Sequence, residues 1–175
     1  MSSSEPTFPE LLTACKRSAV HLEMRDQYGV SDETDGFSAW LRTGQRDTDP
    51  ESESWASWVG LISQAVARGV TVRRARIVSE PVTDYIRYEH AGTVVNVAAG
   101  EQVRWLPRRR ASDIALPGND FWLFDERLIR WNHFTGSGAW AGQEITDEPA
   151  AAELCAVAFE AVWARAVPHD QYEIR

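Results

Sequence analysis

The sequence predicts an α/β fold: a single domain built on a mixed β-sheet of about five to seven strands, flanked by helices. Three observations lead there. Residues 19–78 read in order as a strand, helices and a second strand, the succession of an α/β unit. Two aromatic-rich runs, 121–124 and 128–131, meet at Asp125-Glu126 as the arms of a hairpin. Two helical apolar stripes, at 55–66 and 154–162, each require an apolar surface to lie on.

Residues 1–6 are polar and without periodicity, a flexible N-terminus, after which Thr7 and Pro9 introduce a short helix bearing Leu11, Leu12 and Cys15. Val20, Leu22 and Met24 alternate with His21 and Glu23, so 19–24 is a half-buried strand. Phe37, Trp40 and Leu41 share one helical face, and 43–53 is a polar surface loop. Trp55, Trp58, Val59, Ile62 and Val66 form the stripe of the next helix, closed by Gly69. The β-branched, Arg-bearing run 70–78 is a strand that Glu80-Pro81 breaks. Residues 82–97 fit neither period and stay open between helix and irregular structure. Residues 102–106 form a short strand stopped by Pro107, and an exposed loop carries Arg108, Arg109 and Arg110. After the hairpin, 140–145 adds an edge strand, and Asp147 and Pro149 open a helix that Pro168 stops. No internal repeat appears, and no boundary divides 1–175.

Composition excludes several chemistries. The chain has 175 residues, 43% hydrophobic and 25% charged, enough to build a core. Its formal net charge of −8 opposes non-specific attraction to nucleic acid or an anionic membrane. No apolar run approaches the ~18 residues of a membrane span, and Met1-Ser-Ser-Ser-Glu-Pro lacks the cationic and apolar regions of a signal peptide, so a cytoplasmic chain is expected. Cys15 and Cys155 give neither a disulfide framework nor a thiolate metal knuckle. Lys16 is the one lysine, which removes P-loop and Schiff-base chemistry elsewhere. Glycine-rich nucleotide, nucleophile-elbow and zinc-helix motifs are missing too. No cofactor is expected.

Three constellations remain. Arg73, Arg74 and Arg76, with Arg104 and Arg108 to Arg110 from the next strand region, could line an anion site, because guanidinium forks bind carboxylate and phosphate bidentately. The plainer alternative is a solvated face paired with local acids. Tyr85, Arg87 and Glu89 after Glu80 would face one way in an extended chain, whereas a helix would pair Tyr85 with Glu89. Asn119-Asp120 and Asn132-His133 fall at neighbouring hairpin ends, which could set an acid beside an imidazole. Arg25-Asp26, ending the first strand, is a comparable pair or simply a loop-fixing one.

The run Ser18-Ala-Val-His-Leu-Glu-Met-Arg-Asp-Gln-Tyr28 and residues 67–88, 99–110, 116–122 and 161–169 together resemble a family of uncharacterised actinobacterial proteins, over nearly the whole chain from Glu10 to Tyr172. Members of the Streptomyces type are found beside helix-turn-helix regulators, and the family brings no assigned activity. A weaker likeness is to one half of the phospholipase D-like fold: a helix ending in Arg68-Gly69 precedes a strand, and an aromatic strand pair follows. The His-x-Lys signature of that superfamily is not met, since Ala14 stands two residues before Lys16. This likeness implies a version without the catalytic motif.

The expectation is a non-catalytic binding or regulatory protein. It would act with a partner such as a DNA-binding regulator, with no direct nucleic acid and no membrane, and sense an anionic small ligand through an Arg-lined cleft. The ligand residues would be Arg25, Asp26, Arg76, Glu80, Tyr85, Arg87, Asn132 and His133. The alternative is a hydrolase or phosphoryl-handling enzyme using His133 and Asp120 with Arg76 or Arg87 on the anion.

Overall fold

The computed structural model describes residues 5–29 and 35–175 in full and the backbone of 31–34. Most of the expected N-terminal segment, residues 1–4, lies outside the described residues. The elements run α1 (Phe8–Ala14), β1 (Ser18–Glu23), α2 (Ser31–Thr43), α3 (Ala56–Ala67), β2 (Thr71–Val78), α4 (Asp84–Ala98), β3 (Gln102–Pro107), a 3-10 turn (Arg108–Ala111), β4 (Asp120–Phe124), β5 (Leu128–Phe134), β6 (Trp140–Thr146), α5 (Pro149–Arg165) and a two-residue β7 (Val167–Pro168). The strands form one seven-stranded mixed sheet in the order β6-β5-β4-β1-β2-β3-β7, the predicted class. β1, β2 and β3 are parallel, and β4 runs antiparallel to β1.

Strand alternation sorts the core onto two faces. Val20, Leu22, Ala75, Ile77, Phe121, Leu123 and Ile129 meet Ala152, Cys155, Phe159 and Val162 of α5. On the other face, Ala19, Val72, Trp122 and Phe124 meet Leu11 and Leu12 of α1 and Ile62 and Ala65 of α3. Farther along that face, Val78, Val103 and Trp105 meet Tyr85 and Ile86 of α4, with Tyr172 from the C-terminal segment. The stretch left open at 82–97 is helical. Thr83 caps α4 by accepting from the Ile86 N–H at 3.1 Å. Its period is masked because α4 buries the polar Thr93 and Asn96 while exposing Val94 and Val97.

The β4–β5 hairpin turns without glycine. Asp125 and Glu126 both take left-handed backbone, φ 51° and 57°. The Asp125 carboxylate accepts from the backbone N–H groups of Lys16, Arg17 and Ser18 at 3.0, 2.7 and 3.0 Å, so the turn also fixes the start of β1. Left-handed backbone costs an L-residue about 1–2 kcal/mol. Glu126→Gly should therefore leave stability unchanged or raise it by up to ~1 kcal/mol, the relief being offset by added freedom of the unfolded chain. Asp125→Gly should instead cost about 2–3 kcal/mol through three lost charge-assisted bonds. Urea unfolding midpoints of the two variants check the contrast.

Candidate functional site

Parallel pairing places Glu23 opposite Arg76 and His21 opposite Arg74, all on the face that α3 and α4 cover. Both arginines are buried, Arg76 at 4% exposure. Glu23 accepts from Arg74 Nη1 at 3.1 Å, from His21 Nε2 at 3.1 Å, and lies 3.0 Å from Arg76 Nε in an ion pair without hydrogen-bond alignment. Arg74 Nε reaches Glu101 at 2.6 Å, and Arg76 Nη2 reaches Glu89 of α4 at 2.8 Å. Asn96 Nδ2 donates to Glu101 at 2.8 Å. Burial alone would raise Glu23, but Arg76 and Arg74 hold it well below the carboxylate range. Burial likewise lowers His21, to about 4 against the pull of Glu23, so it stays neutral near pH 7.

This network extends across the sheet. Asp120 of β4 stands opposite Asn132 of β5 and accepts from Met24 N–H at 2.9 Å and from the Tyr28 hydroxyl. Burial lifts Asp120 to about 6; Tyr28 opposes that rise and Glu23 reinforces it. Asn132 Oδ1 is buried without a hydrogen-bond partner. The segment after β1 straps over these groups, held by Arg25 N–H to Tyr28 Oη at 3.2 Å and by a bridge from Gly29 N–H to the Gly138 carbonyl at 2.8 Å.

Several expected site residues gather around this strap. Arg25 lies over the Phe134 ring at 5.6 Å and donates to the Thr135 carbonyl at 3.2 Å. Asp26 accepts from Ser79 N–H at 2.7 Å and Ser79 Oγ at 2.6 Å, and faces Arg108 at 3.4 Å. Tyr85 is buried against Tyr28 and Phe37, with ring centroids 5.9 and 5.6 Å apart. Others do not join. Glu80 accepts from the Tyr172 hydroxyl at 2.9 Å, and Arg87 is exposed on α4. Helical backbone at 84–98 replaces the extended alternative, so Arg87 does not share a face with Tyr85 and Glu89 as a strand would arrange them, while Tyr85 and Glu89, four residues apart, fall on one helical face. The expected Asp120–His133 neighbours do not form. His133 follows Asn132 on an alternating strand and so projects to the opposite face, where it meets Glu144 at 3.6 Å.

The predicted arginine cleft is corrected as well. Arg73 projects to the α5 face and binds Glu160 at 2.6 Å; Arg104 donates to the Trp163 carbonyl at 3.0 Å; Arg108 donates to the Met24 carbonyl at 2.6 Å. With Arg74 and Arg76 internally neutralised, these cations do not converge on one hollow. Among the arginines, all of which lie in the described residues, only Arg42, Arg87, Arg109, Arg110 and Arg175 make no side-chain hydrogen bond, ion pair or ring contact. Three of the five, Arg109, Arg110 and Arg175, line one groove of about 370 Å³ with Pro107, Val167 and Tyr172, and Glu80 and Glu173 share its rim. Tyr172, which forms part of its wall, stacks on Trp105 at 5.6 Å and 8°. Sequence reading named Arg109 and Arg110 only within a larger set. Their distinguishing feature, the lack of a partner acid, is a property of the folded chain.

Fold and groove thus define a single-domain α/β protein with a mixed seven-stranded sheet, an internally neutralised ion network and one groove lined by unpaired guanidinium groups. The chain belongs to the family described as Domain of unknown function (DUF6879), whose model matches residues 6–174. No curated protein matches it. Among solved structures it is similar to TrmBL2, an archaeal chromatin protein whose structure shows a novel mode of DNA binding, at a TM-score of 0.49 and 14% identity. That match covers 91% of this chain and 48% of the other, so the chain spans about half the length of the structure it matches. No helix among the described residues is long and apolar enough to cross a membrane.

Removing one partner from a buried ion network strands the others, at about 3–5 kcal/mol. Glu23→Gln should lose that much in urea unfolding. The contribution of His21 to stability should also fall as pH drops from about 6.5 toward 4, because His21, held at about 4 when folded, takes up its proton on unfolding in that window. Asp120, raised to about 6, contributes with the opposite sign: its contribution is present at low pH and is lost as pH rises through 6. A His21→Asn variant should show a shallower loss of urea midpoint between pH 6.5 and 4 than the parent chain.

Proposed function

We propose that this chain is a binding domain that takes an anionic group, carboxylate or phosphate, in the groove between the 3-10 turn and the C-terminal segment, and that it acts as a regulatory protein through a partner. The observation that carries this reading is the sorting of the arginines. Twelve of seventeen make at least one side-chain hydrogen bond, ion pair or ring contact, and three of the remaining five line a single hollow. A free guanidinium presents five donors in a planar fork, matched to two oxygens of a carboxylate or phosphate. Proline, valine and tyrosine in the walls supply the apolar contact that small-molecule sites favour. The rim carboxylates Glu80 and Glu173 favour a ligand that also bears hydroxyl or amine donors, and they disfavour a bare polyanion.

A partner is part of the proposal because the net charge of −8 opposes direct contact with nucleic acid. The resemblance to proteins encoded beside helix-turn-helix regulators supports a DNA-binding regulator in that role. For the enzymatic alternative, the separation of His133 from Asp120 across the sheet removes the acid–base pair it rested on.

Thermal unfolding in citrate and in inorganic phosphate tests the groove. A ligand at a hundred times its Kd adds about 2.7 kcal/mol, which for a chain of this size raises Tm by roughly 5–10 °C. The parent chain should show such a rise with at least one of the two anions, and Arg109→Ala/Arg110→Ala should show none. Equal shifts in parent and double variant, or no shift with either anion, would overturn the reading.

A further inference from the structure

A second surface, unrelated to the groove, is defined by where the negative charge lies. Residues 35–53, whose side chains the structure describes, hold five acidic and two basic side chains, a net charge of −3. Asp35, Asp47, Asp49, Glu51 and Glu53 are all exposed. Apolar side chains are interleaved with them. Leu41 of α2 is 53% exposed, and Trp40, next to it in sequence, and Trp55 are half-buried. Trp40 stacks on Phe37 at 6.1 Å and meets Tyr88 of α4 edge-on at 5.9 Å, so α2 lies on α4 through a thin aromatic seam and leaves its outer side uncovered.

The loop between α2 and α3 is ordered by its own acids. Asp47 accepts from Asp49 N–H at 3.0 Å and Ser52 Oγ at 2.7 Å, and its carbonyl accepts from Trp55 Nε1 at 2.9 Å. Within this frame the chain already seats one guanidinium. Arg46 lies 3.8 Å over the Tyr88 ring and 5.1 Å from the Trp55 ring. Gly92 leaves the room for it, since a Cβ there would fall 2.8 Å from Arg46 Nε and Nη2. Aromatic faces ringed by carboxylates attract guanidinium groups twice over, through the ring quadrupole and through charge.

We propose that this acidic, aromatic surface, formed by α2 and the 44–54 loop, docks a basic, arginine-bearing segment of a protein partner. Charge complementarity selects the occupant: nucleic acid and acidic peptides are repelled by the same carboxylates that attract arginine. The seated Arg46 shows the mode of contact, a guanidinium over an aromatic face. Lysine, a hydrated point charge without a planar face, fits the mode less well.

Fluorescence anisotropy with labelled nona-arginine and nona-lysine peptides at 150 mM salt tests the proposal on the full chain. Nona-arginine should bind at least fivefold tighter than nona-lysine. Leu41→Ser, which changes no charge at an exposed position, should weaken nona-arginine at least threefold. Asp35→Asn/Glu51→Gln/Glu53→Gln should weaken it at least tenfold while leaving the citrate and phosphate responses of the groove unchanged. Arginine and lysine peptides binding alike, indifference to Leu41→Ser, or tighter binding of a labelled single-stranded oligonucleotide than of nona-arginine would each overturn it. A thermal unfolding midpoint close to the parent's confirms that each variant is folded, since none of these four side chains is buried.

Discussion

Five charged side chains, three buried and two partly buried, on the sheet face that α3 and α4 cover constrain the rest of the molecule. Glu23 on β1, Arg74 and Arg76 on β2, Glu89 on α4 and Glu101 at the start of β3 form one connected network. Each ion would cost several kcal/mol to bury alone, so the network is tolerable only when every member is present and in register. A one-residue slip of β2 would turn both guanidinium groups onto the α5 face among Val20, Leu22 and Phe159, and expose Ala75 and Ile77 to the acids. The ions add little net stability over an apolar packing of the same volume, but they penalise every other pairing of β1, β2 and β3. The same constraint keeps these arginines from ligand duty, since their donors are already committed to internal carboxylates.

Much of the fold was legible because it is written in short-range pattern. The alternation of Val20 and Leu22 with His21 and Glu23, the stripe from Trp55 to Val66, and the paired aromatic runs around Asp125-Glu126 each became the element their period implies. The α4 helix was not legible, because its buried face carries Thr93, which donates back to the Glu89 carbonyl of the same helix, and Asn96, which donates to Glu101, while Val94 and Val97 are exposed. Periodicity reads burial through hydrophobicity, and α4 breaks that correspondence on both faces.

The candidate sites were harder to read for a related reason. An arginine's availability depends on whether an acid far away in sequence reaches it. Arg74 is answered by Glu101, 27 residues on, and Arg73 by Glu160, 87 residues on. Nothing local separates these from Arg109 and Arg110. The placement of His133 was within reach of simple alternation, since Asn132 and His133 cannot both face Asp120 on one strand. The strap was not, because the Tyr28–Asp120 contact joins residues 92 apart through a loop with no regular period.

Pairing on this scale also determines where the chain's field resides. Most arginine side chains are committed to groups of the chain itself, six of them to carboxylates and others to carbonyls and rings, so an incoming ligand meets chiefly the groups left over. Those include the free guanidinium groups at the groove and the exposed acids of α2 and the following loop. A chain with the same net charge spread evenly would repel every anion and attract every cation with little discrimination. Here three of the unpaired guanidinium groups are gathered at the groove and five exposed acids in α2 and the following loop, which lets one molecule present an attractive site for an acidic ligand and another for a basic partner. Screening at physiological salt confines each field to about 8 Å, so neither site cancels the other once they lie farther apart than that. The ion network thus shapes the surface indirectly, by withdrawing the charges that would otherwise blur it.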